Sequence, residues 1–504
     1  MKRISGLFVF FALLFTAFGA GVRAEEKVGY FYVNSERGND RASGLDAANA
    51  VKTLAQVWRI AEKSGADRAY IVFTNACTAS STVSETVHSV PFVLTTRDAE
   101  TDYAEEGAKL VFGKGLRYIL NGDTSFENLP IEYSGTLNFV AQYHSIAFGE
   151  GVTHTRLDGE ESGVYVVGGF QSPGASVRTD LDSHVTIASG SFAYVVGGSR
   201  QSAGGADLTF TGTHRVTVSG GEIAALYAGS LSKHTSGSAE IRVTGGRIRS
   251  LFFAGDNERA LNGNADAVFS GGEIETVFVN NVIGDVGVTL SGAGVGEMAV
   301  SYYNGTIEAA HKAAGGAARL VYRGSYSAAI GRYTGFSSVQ NETTYYAKEG
   351  ANGRGLSESD PASFAAAVKA AAESGGAVKI LGRIGLGDFS EPAHGEPLVV
   401  TGASSDALLQ VSGVYTLGGE TRFESLEIAG GTFDARKGRF IAAESLRVSA
   451  GGEPLLLGGA DLSGGTFSGI REAGTVVMTG GEVTGELVGG GEETHLTLDR
   501  KSVV

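Results

Sequence analysis

Apolar and polar residues alternate in short runs along most of the chain, as in Val216-Thr217-Val218, Ile241-Arg242-Val243 and Val268-Phe269, and each run ends at a glycine pair. Period-two alternation bounded by glycine predicts short strands with one buried face. A second apolar run follows each pair, at Ile223 to Ala228, Ile248 to Ala254 and Ile274 to Val279, and a polar loop such as Asp256 to Asp266 leads on. The first apolar residue of this second run recurs at Phe192, Ile223, Ile248, Ile274 and Val295, in steps of 31, 25, 26 and 21 residues. The pentapeptide Tyr-Val-Val-Gly-Gly stands at 165–169 and again at 194–198, with looser copies around Gly220-Gly221, Gly245-Gly246 and Gly271-Gly272. Strands that repeat at this interval find partners in the neighbouring copies, which makes the pairing parallel. In each glycine pair one residue can take positive φ, and corners without side chains can stack closely. The expected fold is all-β, a β-solenoid. A β-propeller would need units of about 40–50 residues, and a sandwich would show no repeated motif.

Glycine pairs also punctuate the last third, at Gly418-Gly419, Gly430-Gly431, Gly451-Gly452, Gly464-Gly465 and Gly480-Gly481, with Ile428, Phe433, Phe467, Val477 and Val483 as apolar positions. This predicts a second solenoid segment. Two stretches have helical spacing instead. In Thr53 to Lys63, the residues Leu54, Val57, Trp58 and Ala61 share a face, Thr53 is placed as N-cap, and Gly65 lies beyond the end. In Asp360 to Glu373, Asp360 is read as N-cap, Pro361 as the first helical residue and Gly375 as the stop. A strand follows each, Tyr70 to Phe73 and Val378 to Leu381. A helix laid over the open end of a solenoid covers unpaired backbone and apolar side chains. Two such caps imply two modules, 25–335 and 336–498.

Composition narrows the function. A hydrophobic fraction of 42% excludes a disordered chain. Against 55 Asp and Glu stand 40 Lys and Arg, a net charge of -15 that works against binding a nucleic-acid backbone. The lone Cys77 closes no disulfide within the chain, offers no thiolate cluster for a metal, and reads as a small buried hydrophobe. Met1-Lys2-Arg3, the apolar stretch from Leu7 to Phe18 and Val22-Arg23-Ala24 read as a signal peptide over 1–24, cleaved after Ala24. No later run is long enough for a membrane helix. Export combined with scarce cysteine points to a bacterial protein that is secreted, periplasmic or at the cell surface, acting as a monomer. Asp499 to Val504 reads as translated adapter oligonucleotide, which puts the native sequence's last position near Leu498 and the true C-terminus beyond it.

The segment Tyr30-Phe31-Tyr32-Val33-Asn34, Gly38-Asn39-Asp40, Gly44 and Lys52-Thr53-Leu54 resembles the opening motif of the right-handed parallel β-helix, pectate-lyase-like superfamily. Ala50-Val51 replaces the proline or aromatic common before Lys-Thr-Leu. Tyr345-Tyr346, Gly350, Gly353 and the helix after Asp360-Pro361 look like a weaker second copy. The resemblance implies right-handed coils and, for an enzyme, an acidic polysaccharide as substrate. The same fold also carries hydrolases, adhesins and surface proteins.

Enzymes of that kind need two carboxylates flanking the bond, or a calcium-bound carboxylate with a basic residue. No adjacent aspartates, Asn-x-Asp, Gly-His-Gly or Arg-x-Lys stand on successive strands. Asp180 with Asp182, and Asp256, Asn257 and Asp266, fall in loops and read as solvated. His154, His184 and His214 recur every 30 residues, but the apolar register sets His184 opposite Arg215 and His214 opposite Ser183. A one-residue slip sends them to different faces, so no metal site is assigned. The aromatic positions are more informative. With Leu226, Leu251 and Val277 pointing inward, alternation turns Tyr227, Phe252 and Phe278 outward on three successive coils, about 4.8 Å apart. Such a row can stack sugar rings, and exposed apolar strips are often functional. The expected function is a non-catalytic exported or cell-surface protein, without cofactor, that binds polysaccharide or cell-surface glycan. The alternative is a polysaccharide lyase or glycoside hydrolase acting on acidic polysaccharide.

Overall fold

The computed structural model describes residues 26–498, with interruptions that include 159–162, 172–176, 201–207, 232–235, 256–260, 302–315, 324–328 and several short stretches after 443. The expected leader and the adapter-like tail lie outside the described residues, as do Asp256 and Asn257.

Every ladder between described strands is parallel, and the chain forms a parallel β-helix in two segments. The first opens with the strand Val28–Val33, an arch, and helix α1 (Leu54–Glu62). Its coils then carry three strands each. One column runs through Arg68–Phe73, Phe92–Thr95, Thr124–Glu127 and Ser145–Phe148. A second runs through Ala76–Ala79, Lys109–Phe112, Pro130–Tyr133 and Thr153–Arg156. The third runs through Val83–Ser84, Arg117–Ile119, Leu137–Val140 and Val164–Val167. The second column ends at Thr153–Arg156. Beyond it the first and third columns fuse into the long bent strands Thr213–Tyr227, Ser238–Phe252 and Ala265–Asn280.

Glycine makes that fusion possible in two ways. Gly221, Gly246 and Gly272 have φ of 75°, 78° and 79°, a region costly for any residue with a Cβ. Their predecessors face the coil before: a Cβ on Gly245 would lie 2.2 Å from the Ser219 carbonyl oxygen, and one on Gly271 2.2 Å from that of Thr244. The expected register Phe192, Ile223, Ile248, Ile274, Val295 is the observed one. The Tyr-Val-Val-Gly-Gly glycines belong elsewhere in the coil. Gly197 follows its strand, and a Cβ there would meet the Ala228 carbonyl oxygen, so the two sets of glycine pairs are separate columns rather than looser copies of one motif.

The second segment opens in the same manner, with Thr344–Ala347, an arch, helix α2 (Phe364–Ser374) and Ala377–Ile380. Its coils keep three columns, in sheets of eight, four and six strands and a further pair, Thr466–Phe467 with Glu482–Val483. The first set of ladders ends with Ser338–Asn341. Each segment has its own core, one from Phe31 to Tyr333 and one from Tyr345 to Val483. Among the expected inward positions, Val477 is half-buried and its neighbour Met478 takes the core position instead.

The helices differ in their starts. Thr53 caps α1 as expected, accepting from the Gln56 N–H at 3.3 Å, while Asp40 holds the Lys52 and Thr53 N–H groups at 2.9 Å. Helix α2 begins three residues later than Pro361 at the first turn would require: Ser363 is the N-cap, accepting from the Ala366 N–H. Asp360 lies in the arch, where its carboxylate meets Arg354. Gly375 stops α2 with φ of 75°. Each helix lays a small apolar face on the end of its core, Val57, Trp58 and Ala61 in one and Phe364, Ala367, Val368 and Ala371 in the other.

Candidate functional site

Leu226, Leu251 and Val277 have no exposed surface, which turns Tyr227, Phe252 and Phe278 to the outside of three successive coils. All three rings are half-buried. Tyr227 and Phe252 stack with centroids 4.6 Å apart at 8°, and Phe252 and Phe278 at 4.8 Å and 13°. The ring spacing is that of the strands, because parallel in-register pairing puts equivalent side chains directly over one another.

The row is longer than the sequence reading made it. Tyr194 stacks on Tyr227 at 6.1 Å and 16°, and Tyr165 meets Tyr194 edge-on at 4.8 Å. The wider step arises because Tyr194 pairs with Ala225, two residues short of Tyr227, so the row shifts sideways by one side-chain position on the same face. The signal for these two rings was the Tyr-Val-Val-Gly-Gly pentapeptide itself, whose tyrosines pair directly. Arg200 lies over the Tyr165 ring, 4.9 Å from its centroid. Beside Tyr165 and Tyr194 runs a shallow groove of about 690 Å³, floored by Gly163, Ala193, Ala225 and Ser250 and flanked by Arg156 and Arg249. Small residues leave the rings proud of the sheet. Among the described residues no carboxylate lines this groove.

A second groove, of about 560 Å³, sits on the first column near α1, where Tyr30 and Tyr70 stack at 5.0 Å. It gathers Arg97 with Asp98, Glu127 and Glu150 from three successive coils. Sequence reading missed this group because its acids are spread over more than fifty positions of the chain. Asp98 is fully committed: it accepts from the Tyr32 and Tyr103 hydroxyls at 3.0 and 3.2 Å and from the Glu100 and Thr101 N–H groups. Burial alone would raise its pKa, but these donors hold it below the usual carboxylate range. Arg97 is paired with Asp102 at 2.9 Å.

The other sequence candidates do not assemble. Asp180 pairs with Arg178, and Asp182 pairs with Arg215 at 2.7 Å. Asp266 lies in a strand, not a loop, exposed opposite Glu240. His184 is exposed opposite Arg215, whereas His214 is buried opposite Ser183. Burial lowers the pKa of His154 and of His214 to about 4, leaving both neutral. The three histidines share no face. Cys77 is buried, and burial pushes its thiol up to about 11. Among the described residues no cluster of three or more His, Cys, Asp or Glu is arranged to hold a metal ion, and no helix is long and apolar enough to cross a membrane.

No protein-family model matches this sequence, and neither a curated protein nor a solved structure matches it significantly.

Proposed function

We propose that the chain is an exported or cell-surface, non-catalytic member of the right-handed pectate-lyase-like β-helix superfamily that binds glycan or matrix, in the manner of an adhesin or a passenger. The observation that carries this reading is the row of outward rings from Tyr165 to Phe278, of which Tyr227, Phe252 and Phe278 stack at the strand repeat on a regular face. A polymer of sugar rings can lay its apolar faces along such a strip, and a rigid ladder orders little on binding. Arg156 and Arg249 along the groove favour a glycan with acidic groups. The opening arch supports the superfamily: Gly44 takes φ of 70°, the Tyr32 N–H donates to its carbonyl, and Asp40 ties the arch to the helix start. Export rests on the leader-like first residues.

The test is binding of the full chain to a panel of immobilised neutral and acidic polysaccharides. Replacing Tyr227, Phe252 and Phe278 together by serine removes binding at least about tenfold, the loss of roughly 1.4 kcal/mol or more, with an unchanged circular dichroism spectrum. Equal binding by the folded triple variant overturns the reading.

The groove at Tyr30 and Tyr70 favours the second reading, a hydrolase or lyase, because it places Glu127 and Glu150 beside an aromatic pair. Incubation with uronate polysaccharides, with and without calcium, distinguishes the two. New reducing ends or unsaturated products that disappear in Glu127→Gln or Glu150→Gln establish catalysis.

A further inference from the structure

The two modules share a buried polar network that neither reading above uses. Glu85 and His88 follow the third strand of the first coil after α1, and neither side chain has any exposed surface. Glu391 and His394 stand at the same point after α2, equally enclosed. In the first, Glu85 accepts from the Tyr118 hydroxyl at 2.9 Å, the Thr124 hydroxyl at 2.9 Å, the Asn121 N–H at 3.1 Å and His88 Nε2 at 3.0 Å. In the second, Glu391 accepts from Tyr415 at 2.8 Å, Thr421 at 2.8 Å, the Gly418 N–H at 2.9 Å and His394 Nε2 at 3.2 Å. The sequence repeats with the geometry. Glu85, His88, Pro91, Val93 and Thr95 match Glu391, His394, Pro397, Val399 and Thr401; Tyr118, Leu120, Gly122, Thr124 and Phe126 match Tyr415, Leu417, Gly419, Thr421 and Phe423. Even the residue with unusual backbone is in register: Asn128 and Ser425 have φ of 44° and 52°.

The protonation state follows from the partners. His88 Nδ1 faces the Val90 carbonyl oxygen at 2.7 Å and Nε2 faces the Glu85 carboxylate. His394 Nδ1 faces the Glu396 carbonyl oxygen at 2.8 Å and Nε2 faces Glu391. A neutral imidazole has one donor and one lone pair, so between two acceptors it must point the lone pair at an oxygen. Each carboxylate also accepts two hydroxyls and a backbone N–H, which favours its ionised form, and against an ionised carboxylate only the imidazolium satisfies both contacts. We propose that each module is closed at its first coil by a buried imidazolium–carboxylate lock, and that each lock opens when its histidine loses the proton as pH rises, loosening the coil under the capping helix.

The surrounding charges agree. Around His88 stand Glu85, Tyr118, His144, and Glu62 from the end of α1, whose carboxylate holds the Ser89 and Val90 N–H groups. Asp123 faces His144, whose pKa burial keeps below its ordinary value. Around His394 stand Glu391 and Tyr415. For His88 burial would lower the pKa, but Glu85, Val90 and Glu62 together raise it above 6.5; for His394 the bond to Glu391 leads and the result is also raised. A histidine raised on folding contributes stability that is complete below about pH 6.5, its unfolded value, and that disappears as pH climbs through the folded value. The tyrosines stay protonated throughout, since burial and the neighbouring carboxylates raise both.

Hydrogen exchange of the full chain, corrected for the intrinsic pH dependence, tests this by peptide. Between about pH 6 and pH 9, protection of 85–95 and 391–401 is progressively lost, while that of 238–252 is unchanged. The His88→Gln, His394→Gln double variant keeps a donor but cannot titrate, and its profile is flat. Nitrogen-15 NMR of the imidazoles gives an answer even where that variant fails to fold: both nitrogens of His88 and His394 carry protons near pH 6. Neutral rings at that pH, unchanged protection in the wild type, or a double variant with the wild-type pH dependence overturns the proposal.

Discussion

The two modules begin alike and end differently. Each runs strand, arch, helix, then coils of three strands, and each sets one aromatic side chain of its helix against the tyrosine of the buried network. Trp58 meets Tyr118 edge-on at 6.5 Å, and Phe364 meets Tyr415 at 6.3 Å. The second module keeps three short columns, and its stacked rings Tyr415 and Phe433 face the core. The first abandons its second column, bends long strands through glycine corners and turns five rings outward. It also carries the segment 96–107, with one 3₁₀ turn at Tyr103–Glu106, where the second module has only 403–407. The shared part is what a coil stack needs in order to start. The divergent part carries the outward aromatic row and the segment that brings Arg97 and Asp98 to the second groove, while Tyr30 and Tyr70 of that groove stand on the shared opening strands.

This comparison predicts paired effects where the modules agree. Trp58→Ala and Phe364→Ala each remove a large buried ring under the cap and cost about 3–5 kcal/mol, read as early loss of protection in the module that carries the change. Matched losses confined to the altered module sharpen the equivalence; loss spread over both breaks it. The glycines predict a contrast instead. Gly245→Ala pushes a methyl into the Ser219 carbonyl and costs roughly 1–3 kcal/mol. Gly387 has open space around it and no positive φ, so Gly387→Ala is neutral or stabilises by up to about 1 kcal/mol. Denaturant midpoints of the two variants decide this directly.

Smaller paired effects follow from the hydroxyls. Tyr118→Phe and Tyr415→Phe each withdraw one donor from a buried carboxylate that keeps its other partners, costing about 1–2 kcal/mol, and the two values agree if the networks are equivalent. The least effect belongs to the caps: Thr53→Ala and Ser363→Ala each cost about 1 kcal/mol, visible as faster exchange in the first turn of the corresponding helix.

Glycine and alternation made the coil legible, because both report local backbone geometry. The column Phe192, Ile223, Ile248, Ile274, Val295 and the outward Tyr227, Phe252 and Phe278 could be placed for that reason. Helix α2 was read with the wrong start since Asp360 and Pro361 satisfy the local rules for a cap, while the arch bond from the Ala362 N–H to the Tyr346 carbonyl holds that stretch in extended pairing. The lock escaped for a different reason. Glu85 lies 33 residues from Tyr118 and 39 from Thr124, and a lone acid beside a turn reads as solvated. Its visible trace was the second occurrence of Glu-x-x-His-x-x-Pro-x-Val-x-Thr, which is recognised by aligning the chain against itself beyond the glycines. Among the acids of the Tyr30 groove, Asp98 left no such trace because it lies in the segment 96–107 that the second module replaces with 403–407, whereas Glu127 has its counterpart in Glu424.

The long strands have a mechanical consequence. In Thr213–Tyr227, Ser238–Phe252 and Ala265–Asn280 the ladder shifts register at the glycine bend, between Val218 and Glu222 and between Val243 and Arg247, and continues on both arms, so each rung of 15 or 16 residues is fastened to the next on either side of the corner. A force drawing the solenoid out along its axis pulls on these bonds along their length and must part both arms of a rung together, whereas elsewhere it can part short strands singly. The stretch that carries the aromatic row is thereby the part of the molecule best able to stay intact under tension.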